Sequence, residues 1–447
     1  MDLSDLKHIE LYTNSGARIF ILNKGEVIDS ENEAMLQALH SRSIGGIKSH
    51  LKVLEEKGSD KFMSSFYVGY GHKSIGDCGS ITIFIEGVSM LAAKAIQDSK
   101  LYNGQEASTR YIDFSEQEMI NVAGVDLGNE ILEKQRKFYL NILEPIELNL
   151  KNTFPLGEGE KEAIYDKAIK AKAFDIARGF LPAGTSTNLA WHSNLRQVAD
   201  RLMYLRNHPL QEVREIASVL EEAVILKYPN SFSTKRYEDT ENYINSISSN
   251  YYYHNVDTEE FNIISDNIDE NELKKNISIY NSRPNSKTEL PVWLNNDGIF
   301  KIEFLLDFGS FRDLQRHRAI NQRMPLLTDE LGFNKWYFSQ LPNNILEKSK
   351  VHLDEIKKMI DSLNLSKEDK QYYLPMGYNI SNQISGTLPS MVYMAELRST
   401  QYVHPTLRVI AQKIGKYLEE KYAFKLFVEK SEYDFDINRG KHDIVLK

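Results

Sequence analysis

The sequence predicts an α+β protein made of two large tandem parts, and three observations carry that prediction. The 447 residues are too many for one ordinary core. Short β-branched and aromatic runs, Ile81-Thr82-Ile83-Phe84-Ile85 and Ile299–Leu306, stand among long helical patterns. The order of elements in the first part then recurs in the second.

Residues 1–115 mix short strands with helices. Ile81–Ile85 reads as a buried strand, because β-branched and aromatic side chains pack well on a pleated surface. It runs into Glu86-Gly87-Val88-Ser89 and the alanine-rich Met90–Ile96, which reads as a helix. Residues 129–230 carry long helical patterns, with one break at Phe180-Leu181-Pro182-Ala183-Gly184. Residues 231–290 are rich in Asn, Ser, Tyr and acidic residues, with little helical periodicity beyond Asp266–Lys275. They read as a connector between domains at 1–230 and 291–447; a surface insertion inside one domain is the alternative. In the second part Ile299–Leu306 leads into Asp307-Phe308-Gly309-Ser310-Phe311-Arg312 and then Arg316-His317-Arg318. Helices follow, then Tyr373-Leu374-Pro375, then a helix ending near Arg408. Strand, helix, polar motif, helix pair, Leu-Pro and helix is the order in both parts. A diverged repeat explains it; shared architecture without duplication is the other reading.

Bulk properties narrow the function. A formal net charge of −9 argues against a generally basic nucleic-acid binder while allowing a local basic pocket. Cys78 is the one cysteine, so no intramolecular disulfide and no paired-cysteine metal site can form. The N-terminus has no apolar signal core, and no stretch approaches the roughly 18 apolar residues of a membrane span. A cytoplasmic setting, with no membrane and no nucleic acid as partner, is the expectation.

Two motifs carry chemistry. In Glu106-Ala107-Ser108-Thr109-Arg110-Tyr111, three polar side chains alternate, so in an extended segment they line one surface. A guanidinium and a hydroxyl suit a phosphate, and a carboxylate beside them suits a ribose hydroxyl or a base N–H. The alternative is a solvated strand face. In the second part Arg312, Arg316, His317, Arg318 and Arg323 place five potentially cationic groups within twelve residues, an anion site or a solvated basic face. Tyr70-Gly71-His72-Lys73-Ser74-Ile75-Gly76-Asp77 puts His72 and Ser74 on one face if extended, or forms a structural turn. Arg178 before Leu181-Pro182, Asn194-Leu195-Arg196, Leu205-Arg206 and Leu397-Arg398 complete the set.

Taken in order, Gly71-His72-x-Ser74, Glu86-Gly87-Val88-Ser89, Glu106-x-Ser108-x-Arg110-Tyr111, Arg178-x-x-Leu-Pro and Asn194-x-Arg196 resemble the flavin-dependent thymidylate synthase (ThyX) family. Arg316-His317-Arg318, Leu374-Pro375 and Leu397-Arg398, with Arg408 beyond, make the second part similar to the same family. The departures are complementary. The first part reads Asp98-Ser99-Lys100 where the family has its basic triplet; the second keeps that triplet but reads Ala319–Thr328 where the Ser-x-Arg-Tyr end belongs. Gln371 stands in the second part where Arg178 stands in the first.

The resemblance implies two tandem ThyX-like domains, each a small, mainly antiparallel sheet packed with long helices. It implies FAD as cofactor, and dUMP, a methylene-tetrahydrofolate and NADPH as the small-molecule substrates of a reductive methylation. Glu106, Ser108, Arg110, Arg178, Arg316 and Arg398 would bind substrate. Arg206 and Arg398 would be catalytic, Arg398 by stabilising negative charge on the pyrimidine. His72, Ser74, Asn194, Arg196, Arg316, His317 and Arg318 would hold FAD. No metal is implied. A homodimer of such chains would imitate the family's tetramer, with each composite site drawing on both parts. A flavin-dependent alkylation of another pyrimidine nucleotide, or a non-catalytic flavin or nucleotide binder, are the rival readings. Cys78 lies before an apolar strand without a Pro-Cys-His context, which fits a buried thiol better than a nucleophile.

Overall fold

The computed structural model describes residues 7–22, 28–44, 46–110, 114–232, 235–432 and 435–442. Tyr111, the last residue of the Glu106 motif, lies outside them. The chain forms two compact units, each assembled from two separated stretches: Met1–Ala107 with Ser186–Tyr252, and Ser108–Thr185 with Tyr253–Lys447. The consecutive segments 1–230, 231–290 and 291–447 read from the sequence therefore differ from the compact units. The helix Asp126–Thr153 accounts for much of the difference. It buries a stripe of Ile131, Leu132, Tyr139, Ile142 and Ile146 and packs against the helix Asn343–Asp361 of the second part.

The first unit holds a five-stranded antiparallel sheet. In spatial order its strands are His8–Tyr12, Arg18–Leu22, Ser80–Ser89, Ser186–Asn194 and Asn103–Glu106. Along Ser80–Ser89, Ile81, Ile83 and Ile85 alternate with more exposed residues and fill one face of the core. The helix Met90–Gln97 follows and is buried along its whole length. Ser89 caps it, its Oγ accepting from Ala92 N at 3.0 Å, while Ser89 N and Oγ donate to the buried Glu212 at 2.8 and 2.5 Å. The helices Leu195–Leu205, Gln211–Lys227 and Glu238–Tyr251 complete the unit's second half.

The second unit repeats the plan with a four-stranded antiparallel sheet, Phe261–Asp266, Ile299–Asp307, Asn379–Thr387 and Asn321–Gln322 in spatial order. Tyr253–His254 and Met324–Pro325 make a short separate parallel pair. Phe300, Ile302, Phe304 and Leu306 alternate inward along the second strand. Asp307 caps the following helix Phe308–Leu314 by accepting from Ser310 N at 2.9 Å.

Several local expectations need correction. Ser186–Asn194 and Asn379–Thr387 are central strands, not the helical continuation that the sequence pattern predicts. Many of their buried positions are Ser, Thr or Asn, so no apolar alternation marks them. Arg408 lies near the start of the helix Pro405–Tyr422, not near its end. Residues 231–290 are largely structured: the helix Glu238–Tyr251 belongs to the first unit and the edge strand Phe261–Asp266 to the second. The helix expected over Asp266–Lys275 begins at Glu270, capped by Asp269.

The repeat itself is visible inside the second unit. Pro182 and Pro375 face each other across an antiparallel bridge. Ala183 N donates to Leu374 O at 2.9 Å and Met376 N to Leu181 O at 2.8 Å; Gly184 N donates to Tyr372 O at 2.9 Å and Gly377 N to Gly179 O at 2.8 Å. One offset of 193 positions relates 179 to 372, 181 to 374, 183 to 376 and 184 to 377. Each bond thus has a mate, as at a two-fold contact between identical subunits. Gly184 permits the approach: a Cβ there would stand 2.5 Å from Tyr372 O.

Candidate functional site

A buried polar cluster lies in the second unit, built on Asp307, Asp175 and the arginines around them. Because Asp307 ends a strand and caps the next helix, its carboxylate is fixed by the fold. Its Oδ2 accepts from Ser310 N and from Tyr337 OH at 2.8 Å, and its Oδ1 accepts from Thr406 Oγ1 at 2.5 Å. Ser310 Oγ lies 3.0 Å from His404 Nδ1 and 2.8 Å from Thr406 Oγ1. Burial drives the His404 imidazole well below its ordinary range, with Arg178 adding to the effect, so it is neutral.

Arg178 is the largest of the fully buried side chains. Its terminal nitrogens donate to Thr109 Oγ1 at 3.3 Å and Ser310 Oγ at 3.2 Å, and Arg312 donates to the same Thr109 oxygen at 3.0 Å. Arg178 Nε has no hydrogen-bond partner among the described residues. A buried guanidinium with an unpartnered N–H is costly unless a ligand completes it.

Arg110 forms a two-pronged pair with Asp175, Nε to Oδ1 at 2.7 Å and one terminal nitrogen to Oδ2 at 3.1 Å. Its other terminal nitrogen donates to Tyr402 O at 2.9 Å. Arg439, from the last described turn of the chain, donates to Asp175 Oδ2 at 2.8 Å. Burial raises the Asp175 carboxyl, but Arg110 and Arg439 outweigh it and hold the group well below the usual carboxylate range.

The basic triplet follows the helix Phe308–Leu314. Arg316 is exposed, its Nε 3.7 Å from Asp313 Oδ1. His317 is buried, and its Nε2 accepts from Arg398 Nε at 2.7 Å, while Arg398 also donates to the Asp313 backbone oxygen at 2.8 Å. Burial, with Arg398 close by, lowers the His317 imidazole to about 3. It is therefore a neutral acceptor. Arg318 is exposed. Burial raises the Asp313 carboxyl, yet the positive charges of Arg110, Arg398, Arg316 and Arg178 bring it down to about 2. Four of the arginines singled out in the sequence, two from each part, thus act on one carboxylate.

The remaining candidates fall in the first unit, apart from Ser108. The strand carrying Glu106 covers Asn103–Glu106 only, so Ser108 and Arg110 do not continue one extended face with it. Ser108 Oγ accepts from Arg110 N at 3.3 Å in the second unit. Glu106 Oε2 pairs with Lys94 Nζ at 2.7 Å, the two side chains 2% and 1% exposed, and accepts from Gln97 Nε2 at 2.9 Å. Arg206 is engaged by Glu241, Nε to Oε2 at 3.1 Å with a second close contact, and lies 3.8 Å from Glu221. His72 and Ser74 are exposed, His72 just before the helical turn Lys73–Gly76 and Ser74 within it, so they do not share an extended face. Asn194 and Arg196 line a cavity of about 430 Å³ with Asp77, Asn103, His192 and Gln197. Asn194 caps the next helix through Gln197 N at 2.8 Å, and Arg196 pairs with Asp77 at 2.7 Å. Cys78 is half-buried, with burial pushing its thiol up, away from thiolate character.

Sequence reasoning missed Asp175, Asp313 and Arg439. For the two acids only the arginine partners had a motif signal, and an acidic residue in a helix reads as surface; Arg439 had no motif signal at all. Among the described residues no helix is long and apolar enough to cross a membrane, and no group of His, Cys, Asp or Glu is placed to hold a metal ion.

Residues 27–230 match the sequence profile of the family described as thymidylate synthase complementing protein. A UPF0159 protein of Chlamydia muridarum is 24% identical over 518 aligned residues, covering 96% of this chain and 95% of that protein. A UPF0159 protein of Chlamydia pneumoniae is 24% identical over 443, covering 85% and 82%. One of Thermoplasma acidophilum is 23% identical over 438, covering 80% and 85%.

Proposed function

From the match of residues 27–230 to the thymidylate synthase complementing protein family, we propose that this chain is a flavin-dependent thymidylate synthase that methylates dUMP to dTMP. The observation that carries the reading is the gathering of the motif arginines in one unit: Arg178 and Arg312 both donate to Thr109 Oγ1, beside Arg110 in the chain, and Arg316 and Arg398 both meet Asp313. Such a set suits a nucleotide phosphate. The unpartnered Nε of the buried Arg178 fits a missing anion.

In this reading Arg110, Arg178 and Arg316 bind the phosphate, with Ser108 beside them. Arg398, held by the neutral His317, stabilises negative charge developing on the pyrimidine. FAD, when bound, supplies the hydride, with methylene-tetrahydrofolate giving the one-carbon unit and NADPH the reducing equivalents. The amide and guanidinium at the Asn194–Arg196 cavity are donors of the kind a flavin diphosphate takes. His72 and Ser74 are further polar groups of the first unit, and exposed Arg316 and Arg318 are donors of this kind in the second. Glu241 binds Arg206 on two nitrogens, so the catalytic charge is assigned to Arg398. We further propose a cytoplasmic homodimer with one working site per chain.

Thymidine-auxotroph complementation tests the proposal, together with the absorption spectrum of the purified protein. Rescue, and flavin bands that shift on adding dUMP, are the expected results. No rescue by a flavin-loaded protein would overturn dUMP methylation. Alkylation of a different pyrimidine nucleotide is the second reading, favoured by one observation: the Glu106 carboxylate is bound to Lys94 and Gln97. It predicts a spectral shift with another pyrimidine monophosphate and none with dUMP.

A further inference from the structure

Arg439 belongs to no motif, yet it reaches the buried arginine cluster from the far end of the chain. The residues around it are built to hold it there. Phe435 stacks on Phe154, ring centres 4.6 Å apart and planes 11° from parallel. The short helical turn Arg439–His442 lies on the helix Glu162–Ala177, which carries Asp175 and leads directly into Arg178. Gly440 makes this contact possible: a Cβ there would stand 1.9 Å from Ile164 O. Asp436, just before the turn, accepts from Gln401 Nε2 at 3.2 Å, next to the Tyr402 whose carbonyl holds Arg110.

The consequence lies in how Asp175 is shared. A lone Arg110–Asp175 fork is electrically neutral, so Arg110 would bring little positive charge to a neighbouring anion. With Arg439 on Oδ2, the Arg110–Asp175–Arg439 triad carries a net positive charge. The second guanidinium also fixes the carboxylate plane, and through it the orientation of Arg110. Both Arg439 and Asp175 are buried, so this charge is weakly screened.

We infer that Arg439 is a positioning residue of the anion site, which keeps Arg110 electrostatically available to a bound phosphate by sharing Asp175 with it. This rests on the proposed role of Arg110 in phosphate binding. The test uses the full chain and the variants Arg439→Gln and Arg439→Lys, with binding of dUMP and of inorganic pyrophosphate measured by calorimetry at two salt concentrations.

Arg439→Gln is expected to weaken both ligands about tenfold and to reduce the salt dependence of binding, while Arg439→Lys recovers most of each. A purely structural bond would lower the melting temperature without moving the salt dependence. Thus an Arg439→Gln protein that is folded and binds both ligands as tightly as the parent overturns the inference. If the parent binds pyrophosphate but not dUMP, and pyrophosphate binding depends on Arg439, the nucleotide reading fails and the inference stands. If the parent binds neither, both fall. Should Arg439→Gln fail to fold, Arg439→Lys still decides: it keeps the positive charge beside Asp175, so a folded Arg439→Lys protein that has lost pyrophosphate binding would overturn the inference.

Discussion

Gln371 holds the place across the Pro182–Pro375 bridge that Arg178 holds on the near side. Arg178 reaches Thr109 Oγ1; Gln371 Oε1 accepts from Leu327 N at 3.0 Å. Where the first part has Ser108, Thr109 and Arg110, the second has Leu326, Leu327 and Thr328, and the first two of these are buried apolar residues. One of the two related places is thus furnished for an anion and the other for a core. The proposed site should therefore bind one nucleotide per chain. Calorimetric titration of dUMP is expected to give a stoichiometry of one. Two equivalent sites per chain would refute the division of labour between the parts.

Asp313 acts as an internal counter-ion to the arginines. Replacing it by Asn removes the negative charge but keeps the shape. Repulsion among Arg110, Arg178, Arg316 and Arg398 then goes unopposed at this position. Asp313→Asn is expected to lower stability by about 1–3 kcal/mol, and phosphate in the buffer should restore much of that loss by taking the carboxylate's place. Thermal melts with and without phosphate check this. Equal stabilisation of parent and variant by phosphate would contradict it.

Glu106 is expected to matter first for folding. Its carboxylate faces Lys94 in a nearly dry pair, and removing one member of such a pair costs about 3–5 kcal/mol. Glu106→Gln should be markedly destabilised, and the double change Lys94→Met with Glu106→Gln less so. Denaturation curves for the three proteins form the test. A folded double variant that still binds dUMP at the parent affinity would make Glu106 a structural residue; loss of binding in that folded protein would make it a ligand.

What was legible in the sequence followed from apolar periodicity and from cationic motifs. Ile81–Ile85 and Phe300–Leu306 form strands because their buried positions are apolar and alternate. Their partners Ser186–Asn194 and Asn379–Thr387 were illegible because Ser186, Thr187, Ser381 and Asn382 are buried polar residues that break the apolar alternation, and Ser381 Oγ is held by Val256 N at 3.1 Å, a contact no local pattern encodes. The arginines of the site could be named, since guanidinium clusters have a spacing signature. Their acidic partners Asp175 and Asp313 could not, since pairing across 65 residues between Arg110 and Asp175 is a property of packing. The same holds for Arg206 and Arg398. Both follow a leucine, yet Arg206 is the residue after its helix and meets Glu241, while Arg398 is the last helical residue and meets His317.

Those different surroundings separate the two arginines experimentally. Arg206 makes a partly exposed ion pair, worth under about 1 kcal/mol in most measured cases. Arg206→Ala is expected to melt within a few degrees of the parent and to keep its turnover, whereas Arg398→Ala should lose turnover by a hundredfold or more. Steady-state assays of the two variants decide the matter. Loss of turnover in a stable Arg206→Ala protein would return a catalytic role to that residue.

The buried histidines fix the direction of acid sensitivity. Burial holds His317 at about 3 and His352, stacked on Phe138 at 4.0 Å, at about 4. Both lie below the 6.5 of an unfolded histidine, so the unfolded chain takes up these protons first. Their contribution to stability is complete above pH 6.5. It drains away as pH falls, through 4 for His352 and towards 3 for His317. Each proton adds a slope of about 1.4 kcal/mol per pH unit within its window. Asp313 adds to the loss only lower down, between 3.8 and about 2. Between pH 6.5 and 4.5, His317→Gln should therefore flatten the fall in stability. Its side-chain oxygen can still accept from Arg398, so the change removes the proton uptake while keeping an acceptor. Urea denaturation at pH 7, 6 and 5 reads the slope directly. A His317→Gln protein with the same slope as the parent would mean that His317 is not held neutral by the fold, and that Arg398 is oriented by some other contact.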